Sequence, residues 1–121
     1  MIMETMVVIG ASPNPERYSY VAVKSLLKRK YKVVAIGKRP GKIQNVSIRT
    51  DMPDIKDVHT VLMYIGIKHQ PEYYEYILSL SPKRIIFNPG TENFELGKLA
   101  SLNNIECLFD CALVMMNDST F

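Results

Sequence analysis

Cysteine is scarce in this chain of 121 residues: Cys107 and Cys111 are the only two. No disulfide framework is suggested by so few. On one extended strand, four steps of ~3.3 Å would hold the pair ~13 Å apart, beyond disulfide reach. The sequence therefore predicts reduced, partly buried thiols and a reducing compartment, the cytoplasm. Long hydrophobic runs are missing too, and none approaches the ~20 residues of a membrane span. The opening "MIMETMVVIG" carries Glu4 and no basic stretch, unlike a secretory leader. Histidine is limited to His59 and His69, neither in metal-ligand spacing with the cysteines. An excess of one charge sign is also lacking, since 15 basic and 12 acidic residues leave +3. That is too mild and too evenly spread for a nucleic-acid reader, but scattered positive charge suits a small anion. The 47% hydrophobic and 22% charged composition is that of a globular protein. Residues 1–121 are expected to form one domain with a real core.

What is present is alternation. Short runs rich in valine and isoleucine occur at residues 5–10, 32–37, 60–66, 84–88 and 105–109, as in strands buried on both faces. Helical spacing lies between them. Tyr20, Val23, Leu26, Leu27 and Lys30 mark one face of residues 15–30, which end in a basic turn. Tyr73, Ile77 and Leu80 recur at the same period in residues 71–80, and Leu96, Leu99 and Ala100 do so more weakly in 93–103. The pattern predicts an α/β fold, a doubly wound parallel sheet of about five strands with helices on both faces. The expected order of those five is 3-2-1-4-5, with the switch point between strands 1 and 4. Residues 38–59 read as turns with one short strand and a single helical turn near Pro53.

Glycine is what the first strand–loop–helix stretch, "MVVIGASPNPERYS", has too little of. A dinucleotide fingerprint uses three glycines, for the tight turn, the approach of pyrophosphate and helix–strand packing. Gly10 keeps the first place, while Ser12 and Pro15 occupy the second and third. Ser12 brings a hydroxyl to the phosphate position. Asn14 is a good N-cap and Pro15 suits a first helical turn. The helix is thus expected to begin abruptly there, its free N–H groups facing an anion. An acid is missing as well. NAD sites carry Asp or Glu at the end of strand 2 to hold the ribose, whereas this chain has Lys38 and Arg39. Two cations suit an additional ribose phosphate, which NADP and coenzyme A both carry. Gly10, Gly37, Gly66 and the Asn88-Pro89-Gly90 turn end four strands at one carboxyl edge, where open α/β sheets bind ligands.

The stretches "GASPNPERYS", "VVAIGKRPG", "IIFNPGTEN" and "CALVM" resemble the small single-domain bacterial CoA-binding protein family. That family is similar to the N-terminal CoA-binding domain of the succinyl-CoA synthetase α subunit. The resemblance spans essentially the whole chain and implies a Rossmann-like fold and coenzyme A, or an acyl-CoA, as ligand. It implies that Gly10, Ala11, Ser12 and Asn14 form a loop around the CoA phosphates, with Arg17 and Ser19 adding a cation and a hydroxyl. Lys38 and Arg39 would face the 3′-phosphate, and the exit from Tyr64 to Gly66 would wall the adenine. Asn88, Pro89 and Gly90 would close the opposite side. The segment "YIGIKHQ" departs from the family's Asn-Pro after this strand.

No nucleophile–base–orienter set stands out. Glu92 and Glu95 read as offsets to the positive end of the third helix. Cys111 reads as packing, and Tyr73, Tyr74 and Tyr76 as an apolar helix face with wet edges. The synthetase's phosphohistidine belongs to a second domain that this chain lacks, so the resemblance implies binding without that chemistry. Two alternatives stay open: an NADP- or acyl-CoA-using enzyme, and an interaction module with a vestigial crevice. A homodimer, or docking to a larger acyl-CoA enzyme, is the partner arrangement open to such a protein; nucleic acid and membrane are not expected.

Overall fold

The computed structural model describes residues 4–121. The first three residues of the stretch compared above with a leader lie outside the described residues. Strands β1 (Thr5–Ile9), β2 (Lys32–Ile36), β3 (Lys42–Ile43), β4 (Val46–Arg49), β5 (Val58–Met63), β6 (Arg84–Phe87) and β7 (Glu106–Phe109) form one sheet. Its order is β3-β4-β2-β1-β5-β6-β7, parallel except where β3 pairs antiparallel with β4. The described residues also form four α-helices, α1 (Tyr18–Lys28), α2 (Tyr74–Leu80), α3 (Phe94–Leu102) and α4 (Ala112–Asn117), and two single turns of 3-10 helix at Ile67–His69 and Pro71–Tyr73.

Side chains of a strand alternate between faces, and β1 feeds both layers of the core. Val7 and Ile9 pack with Val61, Met63, Ile85 and Phe87 beneath Ile77 of α2 and Leu96 of α3. Met6 and Val8 pack on the other face with Leu62 and Ile86 beneath Leu26 of α1 and Met115 of α4. Helices therefore cover both faces, as the pattern predicts, but the strands number seven.

The expected order 3-2-1-4-5 is corrected. The third strand read from the sequence, β5, pairs with β1, and β4 takes the place beside β2. Burial explains the exchange. Val61, Leu62 and Met63 are wholly buried, whereas in β4 Ile48 is buried between the exposed Ser47 and Arg49. A strand apolar on both faces belongs in the middle of a sheet, and an alternating one at its margin. The switch point accordingly lies between β1 and β5. The hairpin β3–β4 replaces the single short strand expected, and no helical turn forms near Pro53. Helix α4 was not legible, being six residues long, too short for periodicity to declare.

The helix expected to begin at Pro15 begins at Tyr18, with Arg17 at the N-cap and no side-chain cap. Local bonds hold the intervening residues in turns. Ser12 Oγ accepts from Asn14 N at 3.1 Å, and Asn14 Oδ1 accepts from Glu16 N at 3.0 Å. Asn14 O accepts from Arg17 N at 3.1 Å. Short polar side chains offer the backbone this alternative to helix.

Buried amides join the loops that leave β5 and β6. Gln70 Nε2 donates to Ile65 O and Thr91 O, and Gln70 Oε1 accepts from Asn93 Nδ2 at 2.9 Å. Asn93 also caps α3, its Oδ1 accepting from Leu96 N at 3.0 Å. Asn93→Ala removes a cap worth about 1 kcal/mol and leaves buried polar atoms short of a partner, at about 1–3 kcal/mol. Urea unfolding should show a loss of about 2 kcal/mol for this variant; a loss below about 0.5 kcal/mol, the range of an inert surface change, would contradict the clasp.

Candidate functional site

The carboxyl ends of β1, β2, β5 and β6 surround a cleft of about 400 Å³, at the switch point where open α/β sheets bind ligands. Its floor is the loop Gly10, Ala11, Ser12 after β1. This loop is threaded between the ends of two neighbouring strands. Gly10 N and Ala11 N both donate to Ile36 O at 2.9 Å, and Tyr64 N donates to Ile9 O at 2.8 Å. Gly10 has φ +100°, where L side chains are strained, and a Cβ there would lie 2.8 Å from the Tyr64 carbonyl carbon. At Gly37 a Cβ would lie 2.1 Å from Ala11 O. Both glycines are steric requirements of the loop. Gly66 is not, for nothing lies within 4 Å of its missing Cβ.

Asn14 and Arg17 continue the wall, followed by Tyr18 and Ser19 in the first turn of α1. Early N–H groups of a helix lack intrahelical partners and attract anions, so the later helix start keeps that feature beside the cleft. Lys38 and Arg39 line it from the end of β2, Tyr64 from β5 and Pro89 from β6. Ten of the twelve residues singled out in the sequence are thus brought together. Ile65, within the exit from Tyr64 to Gly66, lines the cleft as well, and so do Tyr18 and Thr91, which were missed. Thr91 carried a signal, since it directly follows the Asn88-Pro89-Gly90 turn.

Asn88 and Gly90 are not among the residues lining the cleft. Asn88 is buried and its amide turns inward, Nδ2 donating to Met63 O at 2.9 Å and Oδ1 accepting from Ala112 N at 2.8 Å. It ties β6 to β5 and to the start of α4. Gly90, exposed at φ +90°, shapes the turn, its N–H donating to Glu92 Oε1 at 2.9 Å. Glu92 thereby has a structural partner, and Glu95 accepts from Tyr74 OH at 2.9 Å.

The two cations of β2 differ. Lys38 Nζ lies 2.6 Å from Glu72 Oε1, which favours its protonated form. Neither Arg39 nor Arg17 has an ion-pair partner among the described residues. No carboxylate, histidine or thiol is among the described residues lining the cleft. Burial, with a smaller contribution from the Cys111 thiol, pushes the Tyr64 phenol well above its ordinary value. It therefore stays protonated at neutral pH, and its hydroxyl is buried with no hydrogen-bond partner among the described residues. The three cations and the free N–H groups at the start of α1 give the cleft the character of an anion site.

His59 is remote from this edge. It sits near the start of β5, 2.7 Å from Glu4, and burial lowers its pKa. Cys107 and Cys111 are free thiols. No group of three metal-ligating side chains occurs among the described residues, and no described helix is long and apolar enough to cross a membrane.

The CoA binding domain family model matches residues 4–117. The chain belongs to that family. No curated protein matches the chain, but solved structures do. One crystal structure, described only as that of an uncharacterized protein, is 40% identical with a TM-score of 0.96, and 100% of each chain is covered. A hypothetical protein from Pyrococcus horikoshii OT3 is 23% identical with a TM-score of 0.85, over 98% of this chain and 84% of that one. A Thermus thermophilus protein at 17% identity and TM-score 0.85 covers 98% of this chain and 91% of its own. The last two are alike in fold alone.

Gly37→Ala tests the threaded loop. A Cβ 2.1 Å from Ala11 O must push the loop away, at a cost of about 1–3 kcal/mol. Amide exchange at Gly10 and Ala11 should accelerate with it. Gly66→Ala should stay within about 0.5 kcal/mol of wild type; equal losses for the two variants would contradict the packing described.

Proposed function

We propose that the protein binds coenzyme A or an acyl-CoA in the cleft at the β1–β5 switch point and performs no chemistry on it. The observation that carries this reading is the make-up of the cleft, in which Arg17, Lys38 and Arg39 face one space with no acidic side chain among the described residues lining it. Membership of the CoA binding domain family supports coenzyme A as that anion. In this reading the pyrophosphate lies over the Gly10–Ala11–Ser12 loop and Asn14, held by the Ser12 hydroxyl and the free N–H groups of the first turn of α1, because the N–H groups of Gly10, Ala11 and Asn14 are bonded within the protein. Arg17 and Ser19 add charge and a donor at the first turn of α1. Arg39 is the principal partner of the 3′-phosphate, because Lys38 already has Glu72. Tyr64 walls the adenine, and Pro89 lines the far side. With no carboxylate, histidine or thiol among the described lining residues to activate the hydroxyls of Ser12, Ser19 or Thr91, the cleft supports binding as the whole activity.

Removing a charge-assisted phosphate contact costs about 1.5–3 kcal/mol, or roughly 10- to 100-fold in affinity. Arg39→Glu should weaken CoA by at least that factor and dephospho-CoA far less, measured by calorimetric titration. Equal losses for the two ligands would overturn the assignment of the 3′-phosphate to Arg39.

A further inference from the structure

The carboxyl edge of the sheet changes character along its length. Its cations lie at the β2 end, in Lys38 and Arg39, with Arg17 on the loop before α1. Toward β7 it turns aromatic. Phe109, the last residue of β7, stacks on the buried Phe87 at 5.1 Å and meets Phe94, the first residue of α3, at 5.3 Å. Phe94 is 80% exposed and Phe109 45%. Isolated exposed apolar residues need no explanation, but contiguous ones do. Two rings in contact at the binding edge of the sheet are contiguous.

This ledge lies on the same carboxyl edge as the cleft, beyond the residues that line it. Pro89 and Thr91 of the cleft wall lie between Phe87 and Phe94 in the chain, and β7 is two strands from β5. Two spacings of about 4.8 Å are shorter than a pantetheine arm. Coenzyme A has the same polarity as the edge, phosphates at one end and the thioester at the other. A ligand whose phosphates sit at the β2 end therefore runs its thioester toward β7. The ledge is small for a macromolecular interface. Two aromatic side chains supply at most roughly 400 Å², about half of the ~800 Å² that each partner contributes to a stable complex. A tethered acyl chain needs far less.

We infer that the Phe94–Phe109 ledge is the subsite for the acyl group of an acyl-CoA, and that the protein favours apolar acyl thioesters over free CoA. The inference rests on the CoA reading above and adds the acyl group to it. The test is calorimetric titration of wild type, Phe94→Ser and the control Leu102→Ser with CoA and octanoyl-CoA, with sedimentation of each variant. Leu102 is exposed at the opposite end of α3. Wild type should bind octanoyl-CoA about tenfold more tightly than CoA, the worth of roughly two buried methylenes. Phe94→Ser should abolish that preference and leave CoA unchanged, and Leu102→Ser should change neither. Equal binding of both ligands by wild type, or a preference that survives Phe94→Ser, would overturn the inference and leave CoA binding intact. A change of oligomeric state in Phe94→Ser with the acyl preference unaltered would assign the ledge to a second copy of the chain instead. Failure of wild type to bind either ligand would remove the CoA reading itself.

Discussion

Three buried side-chain amides, those of Gln70, Asn88 and Asn93, hold the carboxyl edge of this sheet together, and the cleft takes its shape from them. Parallel strands leave their last carbonyls pointing into loops, where each buried group needs a partner or costs about 1–3 kcal/mol. Asn88 answers Met63 O on one side and Ala112 N on the other. Gln70 answers Ile65 O and Thr91 O, and Asn93 completes its carbonyl oxygen. The exits of β5 and β6 and the starts of α3 and α4 are thereby fixed to one another. Tyr64, Pro89 and Thr91 can then present a defined wall.

The opposite wall is built by a different means. The loop after β1 is pinned by two N–H groups donating to Ile36 O and admitted by the absence of side chains at Gly10 and Gly37. Proline and local side-chain bonds stiffen it where a dinucleotide fingerprint would use further glycines. The helix start is displaced to Tyr18, and the intervening turn carries Asn14 and Arg17 to the rim of the cleft. With Lys38 and Arg39 at the end of β2, the result is a cationic concavity with no carboxylate, histidine or thiol among the described residues lining it.

Much of this was legible in the sequence because strongly apolar strands and glycine exits announce themselves locally. The α/β class and helices on both faces follow from β-branched runs and helical spacing, and Gly10, Ser12, Asn14, Lys38 and Arg39 from the altered fingerprint and the basic end of β2, whereas Ala11, Arg17, Ser19, Tyr64 and Pro89 come into the site by family resemblance. What was not legible depends on tertiary partners. The place of β5 beside β1 follows from its burial on both faces, which no order of elements reveals. The short hairpin and α4 fall below the length at which periodicity speaks. Asn88 reads as a ligand contact because it stands in a turn at the binding edge; only the backbone groups of Met63 and Ala112 explain why its amide faces inward. Glu72, distant in sequence from Lys38, could not be foreseen as its partner.

The central claim is that the altered fingerprint loop belongs to a coenzyme A site. The most direct test is calorimetric titration of CoA into protein freed of co-purified ligand by partial unfolding and refolding, with and without saturating NADP. The account predicts a one-to-one isotherm that NADP does not disturb. Silence with CoA, or an isotherm erased by NADP, would contradict it.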